Sequence, residues 1–104
     1  MSDPIVVVAV FEPVEGMVDA LREALVASIP AVHAEQGCEL YALHDAADGG
    51  IYLVEKWTTV EDLDRHGTGE AVAALGRATA ESCIDVKVTR MTPVPAGTEA
   101  QGLV

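Results

Sequence analysis

Basic residues are scarce in this chain of 104 residues: six Lys and Arg stand against 17 Asp and Glu, a formal net charge of -11. The six are scattered. No cluster of them exists that would neutralise a phosphate backbone, so the electrostatic footprint of a nucleic-acid binder is missing. The same balance repels an anionic membrane surface. It also disfavours an anionic substrate unless folding hides a local basic pocket. Its plain consequence is an acidic surface that keeps the protein dispersed. Apolar runs are short as well. Ile5 to Phe11 is too brief for a membrane span or a signal-peptide core, and Ser2-Asp3-Pro4 ahead of it adds no positive charge. A cytoplasmic protein without a membrane contact is expected. Only two cysteines occur, Cys38 and Cys83, too far apart for a CxxC redox or zinc motif. They read as small, reduced, packing side chains. Aromatic residues make up only 4% of the chain, which leaves few rings to line a pocket.

What is plentiful is apolar aliphatic surface. Half of the residues are hydrophobic, and a single domain of this length buries only about two-thirds of its unfolded surface. Apolar surface left over in a small chain is usually spent on a contact between copies, so a homodimer is expected.

Ile5-Val6-Val7-Val8-Ala9-Val10-Phe11 is apolar at every position and reads as a strand buried on both faces. Glu12 to Gly16 turns the chain. Met17, Leu21, Leu25, Ile29 and Val32 then recur every three or four residues, which is one apolar stripe of an amphipathic helix, with Pro30 near its end and Gly37 as its stop. Glu39 to His44 and Ile51 to Trp57 are strands joined by hairpin chemistry at Asp45 to Gly50. Thr58-Thr59-Val60-Glu61 reads as a capping box with Thr58 as N-cap and Glu61 reaching back, opening a short helix to His66. Gly67-Thr68-Gly69 breaks that helix, and Glu70 to Ala80 makes another with Val72, Leu75 and Thr79 on one face. Ile84 to Arg90 alternates with period two. The tail from Pro93, rich in Pro, Gly and Ala, is either flexible or draped over a neighbour.

The order is β-α-β-β-α-β with the second helix broken in two. That is an α+β, ferredoxin-like arrangement, an antiparallel sheet with helices on one face. The other apolar face needs a cover, because leaving it wet costs about 25 cal/mol per Å². A second copy of the same sheet supplies one and closes a dimeric α+β barrel.

Two motifs sit on this frame. Glu35-Gln36-Gly37-Cys38-Glu39-Leu40-Tyr41 leads from the first helix into the second strand, and Glu55-Lys56-Trp57 is followed by His66 at the end of the next helix. With the strand order, they resemble the antibiotic biosynthesis monooxygenase family, whose pattern is Glu-x-Gly-Cys-x-x-Tyr, then Glu-x-Trp, then a His. The resemblance runs from residue 5 to about 91, which gives a domain over 1–92 and a tail over 93–104. It implies a range of activities. Some members oxidise quinols or polyketide phenols with dioxygen and no metal or flavin, and others degrade haem. Still others are isomerases or have no assigned chemistry. Haem degraders of the family carry an Asn on the first strand, whereas this chain contains no asparagine at all. A second His and a Phe found after the first His in many members are replaced by Ala71 and Val72.

The leading expectation is a cofactor-independent monooxygenase acting on a small aromatic quinol or phenol and dioxygen. The alternatives are a non-catalytic, ligand-binding or stress-associated barrel and, below it, a haem protein. Oxygenation without a cofactor needs an electron-rich phenol, a group that shares its proton and a dry pocket. Histidine is the side chain suited to proton exchange near neutrality, so His66 is the catalytic candidate, against the plain alternative of a residue that complements a helix C-terminus. Trp57 is the second catalytic candidate, through its indole N–H, against the role of a core anchor. Glu55 and Tyr41 are candidate substrate-binding residues. Glu55 orients a neighbour, acts as a base or pairs with Arg65 or Arg90, and Tyr41 is otherwise a half-buried strand aromatic. His33 and His44 read as surface residues, Cys38 as packing, and no histidine pair has a metal-ligand spacing.

Overall fold

A computed structural model describes residues 3–104; Met1 and Ser2, the start of the expected 1–92 domain, lie outside the described residues. Four strands, β1 (Ile5–Pro13), β2 (Cys38–Asp45), β3 (Ile51–Trp57) and β4 (Cys83–Met91), form one antiparallel sheet in the order β2-β3-β1-β4. Helices α1 (Val18–His33), α2 (Val60–Gly67) and α3 (Glu70–Thr79) connect them, and a short helix α4 (Glu99–Gly102) lies in the tail. This is the ferredoxin-like order expected from the sequence, with the second helix broken as the glycines at 67 and 69 require.

The helix-facing side of the sheet carries Val7, Ala9 and Phe11 from β1 and Ile51, Leu53 and Trp57 from β3, all buried with Leu21, Leu25 and Val32 of α1. Strand alternation sends Val8 and Val10 to the other side with Val54, where they are only half-buried. The expectation of a first strand buried on both faces is therefore met on one face. Among the described residues nothing covers the second face except at one end, where Lys56 Nζ donates to the carbonyl of Val104 at 2.7 Å and the tail folds back on its own sheet. No helix among the described residues is long and apolar enough to cross a membrane.

Two local details set the site. The N-cap of α2 is Thr59, not Thr58: its Oγ1 accepts from Asp62 N–H at 3.1 Å. Thr58 is already committed, because its N–H and its hydroxyl both donate to the carbonyl of Gly37. Gly37 has φ +84°, a left-handed conformation that disfavours a side chain. A Cβ there would fall inside the Asp62 side chain, which itself accepts from Gln36 and Arg65. The turn after α1 is thus pressed directly against the first turn of α2.

Candidate functional site

That contact brings together two residues far apart in the chain. Glu35, just past the end of α1, reaches His66 on the last turn of α2, and His66 Nδ1 lies 2.9 Å from Glu35 Oε1. A carboxylate only accepts, so Nδ1 carries the proton of this bond, and in the neutral ring Nε2 keeps a lone pair that points the other way. There it meets Glu55 of β3, whose Oε1 is 4.0 Å from Nε2. The same Oε1 accepts the indole N–H of Trp57 at 2.9 Å. The Trp57 ring lies against the imidazole with centroids 4.5 Å apart, and Tyr41 meets it edge-on at 5.6 Å. His66, Glu55, Trp57 and Tyr41 are all buried.

The four residues singled out from the sequence therefore converge. Glu55 pairs with neither Arg65 nor Arg90, which are held by Asp62 and Asp64 instead. Trp57 is completely buried behind Glu55 and His66 and does not line the cavity described below, as the core-anchor alternative has it. Glu35 was not singled out from the sequence. It stands in an exposed polar run after α1, and its only signal was its place at the head of the first motif.

Burial decides the charges. It pushes the Glu55 carboxyl above its ordinary value, against the lowering effects of the Trp57 hydrogen bond and the His66 charge, and Glu35 adds to the rise. Burial also drives the Tyr41 phenol far above its ordinary range, with the Glu55 and Glu35 charges adding to it, so Tyr41 stays protonated. Cys38 is half-buried with its thiol pushed up mainly by burial, in keeping with a packing role. His33 and His44 are exposed, though the His33 Nε2 lies 3.1 Å from the Tyr41 carbonyl. Among the described residues no three His, Cys, Asp or Glu side chains converge as a metal site would need.

Glu55, His66 and Tyr41 form the polar end of a cavity of about 350 Å³ between the sheet and helices α2 and α3. The rest of its wall is mostly aliphatic, from Val7, Ala9 and Leu53 below and Leu63, Val72 and Leu75 above. Val86 and Val88 of β4 line its outer side and remain 42% and 60% exposed, so the mouth lies along β4.

The family pattern described as antibiotic biosynthesis monooxygenase matches residues 4–78, most of the chain and all the polar residues of this cluster. The chain belongs to the antibiotic biosynthesis monooxygenase family. Its sequence is 40% identical over 67 residues to "Putative monooxygenase Rv0793" of Mycobacterium tuberculosis. That stretch takes in 64% of this chain and 66% of the relative, just under two-thirds of its length. The solved structure of Rv0793 superposes with a TM-score of 0.80 at 30% identity, covering 92% of this chain and 100% of that one. Protein SO0527 of Shewanella oneidensis gives 0.79 at 29% identity over 88% and 91% of the two chains. PA3566 of Pseudomonas aeruginosa gives 0.81 at 27% identity over 90% and 97%. Within the antibiotic biosynthesis monooxygenase fold the cavity of this chain thus occupies the space between sheet and broken helix, with its polar end at the paired motifs.

Proposed function

We propose that this protein is a cofactor-independent monooxygenase that oxidises a small aromatic quinol or phenol with dioxygen. The observation that carries the reading is the placement of His66. Its Nδ1 is tied to Glu35, and its Nε2 faces Glu55 on the wall of an otherwise aliphatic cavity. A substrate hydroxyl beside Nε2 donates its single proton to that nitrogen, with Glu55 Oε1, 4.0 Å from Nε2, bordering the same spot. His66 then takes the phenolic proton, and Glu35 holds the imidazole in the tautomer that can accept it. Removing that proton raises the electron density of the ring and lets it reduce dioxygen. The aliphatic walls keep water away from the intermediate.

The electrons balance within the substrate. A quinol and one dioxygen give a hydroxyquinone and one water. One oxygen atom is bonded to a ring carbon, the other leaves as water, and the ring supplies all four electrons. Tyr41, held neutral by burial, forms an edge of the pocket and not its base. The open sheet face with Val8, Val10 and Val54 supports a two-fold dimer in which each sheet covers the other.

The test is dioxygen uptake by chelator-treated, flavin-free protein with a panel of hydroquinones and naphthols. Uptake above autoxidation that is lost in a folded His66→Ala variant is the expected result. No uptake across the panel, or uptake unchanged by that substitution, overturns the reading; ligand-induced stabilisation without turnover would then mark a binding protein.

A further inference from the structure

The polar cluster occupies one end of the cavity, and a single strong cation stands at the other. Arg90 of β4 is the one Lys or Arg among the described residues that lines the cavity. Its place follows from the strand register. Val7 pairs with Glu55 on one side and with Arg90 on the other, and Glu55 pairs in turn with Tyr41. Arg90, Val7, Glu55 and Tyr41 therefore form one row across the helix-facing side of the sheet. Two strand spacings separate Arg90 from Glu55, about 10 Å between backbones, with the aliphatic floor of Val7 and Ala9 between them.

We propose that the cavity takes a hydroxylated aromatic acid, and that Arg90 recognises its carboxylate at the end opposite His66. The inference rests on the reading of the cavity as a phenol site and adds the second functional group of the ligand. A guanidinium offers five N–H donors in a planar fork suited to a carboxylate. The described hydrogen bond of Arg90 runs from Nη2 to Asp64 Oδ1 at 2.7 Å, which leaves the other donors of the fork for a ligand. Both partners of that pair are about half exposed, and such pairs hold weakly. Asp64 thus steadies the guanidinium without sealing it.

Charge also fixes the direction of binding. The Glu35 and Glu55 carboxyls stand at the His66 end and repel a second carboxylate there. A hydroxyl is not repelled in this way and donates its proton to Nε2. The ligand enters along β4 with its hydroxyl leading and its acid group trailing at Arg90. In a chain with net charge -11 this is the local basic spot that an acidic substrate would need. A two-ring acid such as 6-hydroxy-2-naphthoate has the length to engage both ends, and 2-naphthol is its uncharged counterpart.

The experiment is isothermal titration calorimetry of the full chain with these two compounds under anaerobic conditions, where no turnover occurs. The wild type is expected to bind the acid more tightly than the naphthol. Arg90→Gln should weaken the acid about tenfold, as expected for loss of a charge-assisted bond, and leave the naphthol unchanged. Asp64→Asn, which frees the guanidinium, should tighten the acid. Opposite signs for the two partners of one ion pair would not arise if the pair were merely structural. Equal affinities for acid and naphthol, equal losses for both in Arg90→Gln, or weakening of the acid in Asp64→Asn overturns the inference. Oxygenation can fail while this binding pattern stands. If neither compound binds, the cavity reading falls and this inference with it.

Discussion

Replacing Trp57 by Phe keeps an aromatic ring against His66 but removes one hydrogen bond and part of one buried side chain. Trp57 is 0% exposed, and its N–H meets a buried carboxylate at 2.9 Å. Losing a hydrogen bond to a charged group costs about 1.5–3 kcal/mol net. The smaller ring leaves unfilled space and costs about 1–2 kcal/mol more. The sum, about 2.5–5 kcal/mol, lowers the melting temperature of a domain this size by on the order of 20 °C. The deficit should also depend on pH. Glu55 in the folded protein sits above the ordinary 4.5, so folding takes up a proton between those two values and stability falls as pH rises through them. The Trp57 N–H lowers the Glu55 value, so removing it widens that interval. The loss should therefore be largest near pH 7.5 and shrink toward the packing contribution alone near pH 4. Urea denaturation followed by far-UV circular dichroism at both pH values measures it, with the wild type subtracted at each. A deficit that is the same at both, or larger in acid, refutes the assignment of the indole N–H as a partner of a charged Glu55.

Three further outcomes are expected. Glu55→Gln keeps the shape and the acceptor for the indole but removes the buried charge, so its stability should exceed that of the wild type near pH 7.5 and match it near pH 4, as read by the same denaturation series. Gly37→Ala forces a left-handed alanine, at about 1–2 kcal/mol, and drives its Cβ into Asp62; a loss of about 3 kcal/mol or more is expected, and a neutral result would show that α2 can shift freely. Light scattering is expected to give the mass of a dimer for the wild type and that of a single chain for Val8→Glu on the uncovered sheet face, with the circular dichroism spectrum retained.

Much of the frame was legible because local pattern and tertiary need coincide. The glycines at 67 and 69 break the second helix wherever it packs, and the alternation of Ile51 to Trp57 assigns its own inner face. The sequence Thr58-Thr59-Val60-Glu61 reads locally as a box capped by Thr58, whereas the folded chain caps one residue later, with Thr59 accepting from Asp62. The shift follows from Gly37, whose carbonyl takes both donors of Thr58. The uniformly apolar β1 likewise hid which of its faces meets the helices. Glu35 and His66 are 31 positions apart and meet where Gly37 packs on Asp62, a contact that no local pattern announces. Arg90 was nearer to legible: it shares the period-two face of Val86 and Val88, so any cavity over those valines had to include it.

The pairing of β2 with β3 contains an irregularity whose effect reaches the site. Cys38 stands opposite Trp57, yet Leu40 stands opposite Lys56, so Cys38 and Glu39 together face a single partner. Such a bulge changes the parity of the strand. Cys38 and Tyr41, three positions apart, can then lie on the same inner side, where alternation would have sent one outward. Glu39 acts as a spacer that corrects the reading frame of β2 between the end of α1 and the pocket. Deleting this one residue would remove no atom of the cluster, yet it would leave the strand two incompatible choices. Either Tyr41 stays inside and Glu35 is dragged away from His66, or Glu35 holds and Tyr41 turns to the outer face with the rest of the strand. Length in this segment is therefore as much a functional constraint as residue identity, and relatives that keep the pocket should tolerate substitution at position 39 far better than its loss.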